Sequence, residues 1–112
     1  MLPKEHRLRH EKDIKTLFAK GKSVFGVQIG LKYRMNSLST TRFAIVVGTK
    51  VSKSAVVRNT IKRRIRAVLQ KHLVEIKGGY DVLFLTKKEL VGKTFAEIES
   101  MVVYLLKKTP IL

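Results

Sequence analysis

The sequence predicts an α+β fold, a single-domain α-β-β-α-β-α sandwich with a mixed sheet spanning residues 1–112. Three observations predict it. Residues 27–35 alternate apolar and polar side chains with period two, residues 54–77 run for 24 positions without Gly or Pro at helical apolar spacing, and short apolar runs at 43–47 and 82–85 flank that long stretch. With 45% hydrophobic residues in 112 positions, the chain has enough apolar surface for one core.

The elements follow in order. In residues 11–20, Ile14, Leu17 and Phe18 recur at helical spacing, and Gly21 follows where a C-terminal cap belongs. Val27, Ile29, Leu31, Tyr33 and Met35 then alternate with Gln28, Gly30, Lys32 and Arg34, the pattern of a half-buried strand. The polar run Asn36-Ser37-Leu38-Ser39-Thr40-Thr41 leads into residues 42–49, whose unbroken apolar stretch suits a central strand, and a hairpin is the simplest link between the two. The long helix of residues 54–77 carries Val57, Ile61, Ile65, Val68, His72 and Ile76 on one stripe, with Ser52 or Ser54 able to cap its start and Gly78-Gly79 as its stop. Residues 80–86 form the next strand, and strand, long helix and strand in succession indicate a parallel crossover. Thr94-Phe95-Ala96-Glu97 has capping-box spacing before a last helix with Ile98, Met101, Val102, Leu105 and Leu106 inward.

Charge narrows the function. Against 24 Lys and Arg stand 8 Asp and Glu, a net charge of +16, and self-repulsion on that scale calls for a polyanionic partner. The carboxylates are Glu5, Glu11, Asp13, Glu75, Asp81, Glu89, Glu97 and Glu99, so residues 14–74 hold 14 Lys and Arg and no acid to pair with them. The absence of Cys excludes disulfides, thiolate zinc sites and Cys nucleophiles and fits a reducing cytoplasm. The start of the chain lacks the apolar stretch of an export signal, and no apolar run reaches the roughly 20 residues of a membrane span, so a cytoplasmic protein with no membrane partner is expected.

On a helical projection at about 100° per residue, with Arg58 at zero, Lys62, Arg66, Asn59 and Arg63 fall between about 40° and 140°, while the apolar stripe centres near 300°. Arg58, Lys62 and Arg66 thus form a ladder, rising about 12 Å over eight residues, that can follow successive phosphates of a structured nucleic acid. Arg suits phosphate bidentately, and the Asn amide can bridge a phosphate or 2′-hydroxyl to a base edge. A merely solvated face is the bland alternative; it loses weight because no acids are interleaved with these cations.

The run Ala55-Val56-Val57-Arg58-Asn59-Thr60-Ile61-Lys62-Arg63-Arg64-Ile65-Arg66 resembles the signature of the bacterial ribonuclease P protein component, and the likeness extends over nearly the whole chain, through Arg7-Leu8, Phe18, Tyr33 and Val47-Gly48-Thr49-Lys50. The resemblance implies a ribosomal-protein-S5-domain-2-like fold with a left-handed βαβ crossover, against the usual handedness rule. It implies a protein subunit that helps a catalytic RNA, with Mg²⁺ bound mainly by that RNA, to remove the 5′ leader of precursor tRNA. Arg58, Asn59, Lys62, Arg63 and Arg66 would then contact the catalytic RNA. Ile14, Phe18 and Tyr33, with Lys15, Lys53, Lys87 and Lys88, would hold the leader in a cleft between the first helix and the sheet. Many relatives have Phe where Ile14 stands, which removes a π-face at that position.

Other residues read more plainly. His72 lies on the apolar stripe and reads as a packing residue, His6 and His10 do not make a metal pair, and Asp81, Glu97 and Glu99 form no acid–base constellation beside a phosphate-binding Gly loop. No catalytic residue, protein metal site, organic cofactor or small-molecule substrate is expected, and any cleavage chemistry must come from a partner. Two other readings remain open: a ribosome-associated RNA-binding protein, and a nuclease acting alone, which the missing constellation disfavours.

Overall fold

A computed structural model describes residues 2–112. Its elements are α1 (Glu11–Lys20), β1 (Lys22–Val24), β2 (Ile29–Met35), β3 (Arg42–Val46), α2 (Ala55–Lys71), β4 (Tyr80–Thr86) and α3 (Phe95–Lys107), with single 3₁₀ turns at Lys4–His6, Leu73–Glu75 and Lys88–Leu90. The four strands form one mixed sheet in the order β1-β2-β4-β3. β1 and β4 both run antiparallel to β2, and β3 runs parallel to β4, so α2 makes the expected parallel crossover.

Period-two alternation assigns each sheet side chain to one of two layers. Ile29 and Leu31 of β2, Phe43 of β3, and Val82 and Phe84 of β4 form the main core with Ile61, Ile65, Val68 and Leu69 of α2 and Ile98, Val102, Leu105 and Leu106 of α3. On the other face Leu83 meets Leu17 of α1 and Leu8, with Ile14, Ala44 and Leu85 packed around them. The sheet is therefore covered by two helices on one side and by the short α1 on the other.

Both predicted caps form. The Ser54 hydroxyl accepts from the Val57 N–H at 3.3 Å, and Thr94 with Glu97 makes a reciprocal capping box. Ser52 supports the first from outside the helix, accepting from the Ser54 N–H at 3.1 Å.

Several sequence expectations are corrected. There is no hairpin between β2 and β3: β4 inserts between them, and β3 is an edge strand, not a central one. Its apolar run has another cause, since Phe43 packs on the α2–α3 side and Ala44 beneath α1. The alternating stretch becomes a strand only from Ile29, and Val27 and Met35 at its ends are largely exposed. The unforeseen β1 pairs with β2 through only three residues, too few for any periodicity to register. α2 ends at Lys71, six residues short of the predicted last helical residue, Lys77, and the chain turns through His72 and a 3₁₀ turn. Gly78-Gly79 instead admits the chain to β4: Gly78 lies against the Ser39 carbonyl, where a Cβ would clash, and Gly79 takes φ of 94°. Gly21 ends α1 in extended rather than left-handed geometry, and its missing side chain leaves room for the Leu17 carbonyl.

Candidate nucleic-acid interface

The cationic strip of α2 follows its angular position. Arg58 and Lys62, nearest the apolar stripe, are half-buried, whereas Asn59, Arg63 and Arg66 are exposed. Among the described residues, none of these four cations lies within 4 Å of a carboxylate. Arg58 has a structural duty as well, donating to the Ser52 carbonyl at 2.9 Å and so tying the preceding loop to the first turn of α2. Lys53 is exposed in that loop. Arg64, outside the strip, donates to the Lys93 carbonyl at 2.7 Å.

A second surface lies on the α1 side of the sheet. Leu17 anchors the helix on Leu83, Ile14 is half-buried beside Leu8, Ala44 and Leu85, and Phe18 keeps 46% of its surface exposed. The Lys32 ammonium stands 5.5 Å from the centre of the Phe18 ring and donates to the Phe18 carbonyl at 3.0 Å, fixing an aromatic face and a cation side by side. The β2 alternation assigns Lys32 to the face opposite Leu31, which is the face that α1 covers.

Tyr33 does not join this group. The alternation that makes β2 a strand sends Tyr33 to the face of Ile29 and Leu31, where it packs against the main core and meets the Tyr80 ring edge-on at 6.3 Å. The sheet itself separates it from Phe18 and Ile14. Lys15 is exposed on α1 and pairs with Glu11 at 3.3 Å, away from the sheet. Lys87 donates to the Gly26 carbonyl at 2.9 Å and pins the β1–β2 loop to the end of β4, and Lys88 next to it is exposed.

The two surfaces meet at the β3 edge. A cavity of about 400 Å³ is lined by Arg7, Arg9, Ile14, Ala44, Val46 and Arg66 among others. Arg66 of the α2 strip and Ile14 of the α1 side thus border one hollow. The N-terminal segment completes it, held by the Leu8 N–H donating to the Phe43 carbonyl at 2.8 Å and by Arg7 Nε donating to the Leu2 carbonyl at 2.9 Å. Arg7 and Arg9 lie far from α2 in sequence, and only the chain's return along β3 joins them to the strip.

At the other end of the α1 face the acids are already engaged. Arg42 grips Asp81 bidentately at 2.8 and 2.7 Å and reaches Asp13 at 3.5 Å, while the Asn36 amide donates to Asp81 at 3.0 Å. The Asp81 hydrogen bond raises the Arg42 pKa still further above its ordinary value, so the guanidinium is permanently charged. His72 takes the packing position expected of it, with Nε2 2.9 Å from Glu99, which also pairs with Lys71 at 2.8 Å; Lys71 first and His72 second hold the Glu99 pKa below the usual carboxylate range. Among the described residues no three His, Asp or Glu side chains gather into a metal-binding group. No helix among them is long and apolar enough to cross a membrane. The arrangement offers fixed cations and one exposed π-face, which suit binding of a phosphate backbone and an unpaired base.

Residues 2–110 match the family model described as Ribonuclease P. The ribonuclease P protein component of a Pseudanabaena species is 34% identical across the whole of this chain and 97% of its own length. That of a Picosynechococcus species is 40% identical over 77% of this chain and 74% of its own. Among solved structures, the ribonuclease P protein of Thermotoga maritima superposes with a TM-score of 0.84 at 28% identity, covering 92% of this chain and 96% of that one. The Staphylococcus aureus protein does so with a TM-score of 0.87 at 26% identity, covering 95% and 96%.

Proposed function

Because the chain belongs to the ribonuclease P protein family, we propose that it works in the cytoplasm as the non-catalytic subunit of that ribonucleoprotein, binding the catalytic RNA through α2 and the 5′ leader of precursor tRNA through the α1 face. The observation that carries this reading is the continuity of the two surfaces, since the cavity at the β3 edge joins Arg66 to Ile14. A protein with one cationic patch binds an RNA; one with two confluent surfaces can bridge an RNA enzyme and its RNA substrate.

In this mechanism Arg58, Asn59, Lys62, Arg63 and Arg66 engage the phosphates and 2′-hydroxyls of the catalytic RNA, with counterion release as the main driving force. Phe18 and Lys32 hold an unpaired leader base and its phosphate, with Ile14 packing beside them and Lys53, Lys87 and Lys88 adding field. Lys15 contributes only long-range charge, and Tyr33 acts indirectly by supporting β2. The chemistry is assigned to the RNA with its bound Mg²⁺. This chain's carboxylates on the α1 face do not fit a Mg²⁺ site, because Asp13 and Asp81 are both engaged by Arg42. Its contribution to rate is substrate binding energy and the screening of repulsion between two polyanions.

Cleavage of a 5′-labelled precursor tRNA at low Mg²⁺, with catalytic RNA alone, this protein alone and both together, tests the reading. Cleavage only with both, leaving a 5′-phosphate on the mature tRNA, is expected. Cleavage by the protein alone would overturn the division of labour, and absence of stimulation by a folded, RNA-binding protein would favour a ribosomal RNA partner.

A further inference from the structure

The β1–β2 loop carries an aromatic residue that neither packing nor the cleft described above explains. Phe25 is 81% exposed, the most exposed aromatic side chain among the described residues. A Phe left in water at a fixed position is a ready contact surface.

Three features determine which side of the sheet it serves. Ser23 stands opposite Lys32 and Val24 opposite Leu31, and the same register continued one residue past the end of β1 sets Phe25 opposite Gly30. Opposed residues share a face, which puts Phe25 with Gly30 and Lys32 on the α1 side. Gly30 has no side chain to obstruct the approach: a Cβ there would lie 3.2 Å from the Val24 carbonyl oxygen and 3.9 Å from Phe25 Cα. The next residue, Gly26, backs onto the opposite layer, where a Cβ would meet Leu105 of α3 at 3.5 Å.

The loop is also held in place before any ligand arrives. Lys87 Nζ donates to the Gly26 carbonyl at 2.9 Å, and the Lys87 N–H donates to the Gln28 carbonyl at 3.0 Å. A ring carried on a pinned loop leaves little backbone freedom to lose on binding. Lys32 on the same face and Lys87 at the loop carry positive charge, and no acid lies in the β1–β2 segment. An exposed π-face among fixed cations fits an unpaired nucleobase and its phosphate better than an apolar protein surface.

We propose that Phe25 is a second base-stacking platform in the leader cleft, taking one unpaired nucleotide of single-stranded RNA next to the one held by Phe18 and Lys32. This rests on the leader-binding role of the α1 face. It gives the cleft the second aromatic that Tyr33, on the far face, and Ile14, an aliphatic residue, do not supply. Gly30 and Lys32 are two residues apart on β2, about 7 Å, roughly twice the rise between stacked nucleotides. Bases on the two platforms are therefore splayed apart, each against its own ring, and a leader with strong internal stacking or pairing is a poorer ligand.

The test uses the holoenzyme assembled with catalytic RNA and measures dissociation constants for precursor and mature tRNA. Phe25→Ala and Phe25→Leu are expected to weaken precursor binding by about 5- to 150-fold, the range for one lost base stack, and to leave mature tRNA binding unchanged. Phe25→Trp restores precursor binding and, as the only Trp in the chain, loses fluorescence on adding precursor but not mature tRNA. Because the side chain is exposed, all three variants keep the wild-type melting temperature. Full affinity for precursor in Phe25→Ala, while Phe18→Ala loses it, overturns the proposal and leaves the leader cleft standing. Full affinity in Phe25→Leu overturns stacking, and equal losses for both RNAs overturn a leader contact. A wild-type holoenzyme that does not distinguish precursor from mature tRNA removes the cleft itself, and Phe25 with it.

Discussion

Replacing Arg63 and Arg66 together by Ala tests the α2 strip in a way that separates electrostatics from folding. Both side chains are exposed, make no ion pair among the described residues, and lie opposite the buried stripe of Ile61, Ile65 and Val68, so their loss leaves the core intact. If each neutralises one phosphate of the catalytic RNA, the slope of log K against log salt becomes shallower by about 1.4–1.8. At about 0.1 M monovalent salt this corresponds to a loss of about 25- to 60-fold, or about 2–2.5 kcal/mol, which vanishes on approaching 1 M. The assay is filter binding of labelled catalytic RNA over a salt series. Arg58→Ala behaves differently, because its guanidinium also holds the Ser52 carbonyl: its deficit has a component that persists at high salt. Lys107→Ala, beside Lys71 at the far end of α2, keeps the wild-type slope. An unchanged slope in the double variant would remove the strip from the interface, whatever its overall affinity.

Asp81→Asn keeps one acceptor oxygen for Arg42 but turns the other into a donor and leaves Asp13 at 3.5 Å as the carboxylate partner among the described residues; because both partners of the altered pair are largely but not wholly buried, the expected cost is about 2–3 kcal/mol. Thermal unfolding should register it as a drop of about 10 °C, and a change under about 2 °C would show the pair to be energetically neutral. Glu97→Gln preserves the capping box but removes its titration. Hydrogen bonds from Thr94 hold the Glu97 pKa below that of the unfolded chain, so its ionised form contributes stability that is complete above the ordinary value of about 4.3 and lost as pH falls through the lowered folded value. Melting curves between about pH 6 and pH 3 should therefore fall more steeply for the wild type than for the variant, and parallel curves would contradict the linkage.

Local chemistry made much of the molecule legible before any coordinates. The bounds of α1 and β4, the Ser54 and Thr94 caps and the buried stripe of α2 all depend on neighbours within a few residues, as do turn preferences and helical angles. The angular order of Arg58, Lys62, Arg66, Asn59 and Arg63 likewise predicted their order of exposure, since a helix fixes the directions of its own side chains. The errors share a different origin. A hairpin and a β4 insertion between β2 and β3 satisfy the same periodicity, and the edge position of β3 is invisible where both of its faces are covered. Tyr33 was grouped with Phe18 by residue type, while the parity of its own strand already opposed that grouping.

The sequence by itself determined an α+β chain with a cationic helix, because charge, capping and periodicity are properties of short segments, and the run of residues 55–66 added its resemblance to the ribonuclease P protein family. Only the tertiary structure decided that Arg7, Arg9, Ile14 and Arg66 share one hollow, that the Lys32 ammonium stands beside the Phe18 ring, and that the Phe25 backbone lies against Gly30. Those juxtapositions arise from strand order and register, which are set by how distant segments bury their apolar faces together, and no local pattern encodes the outcome of that competition.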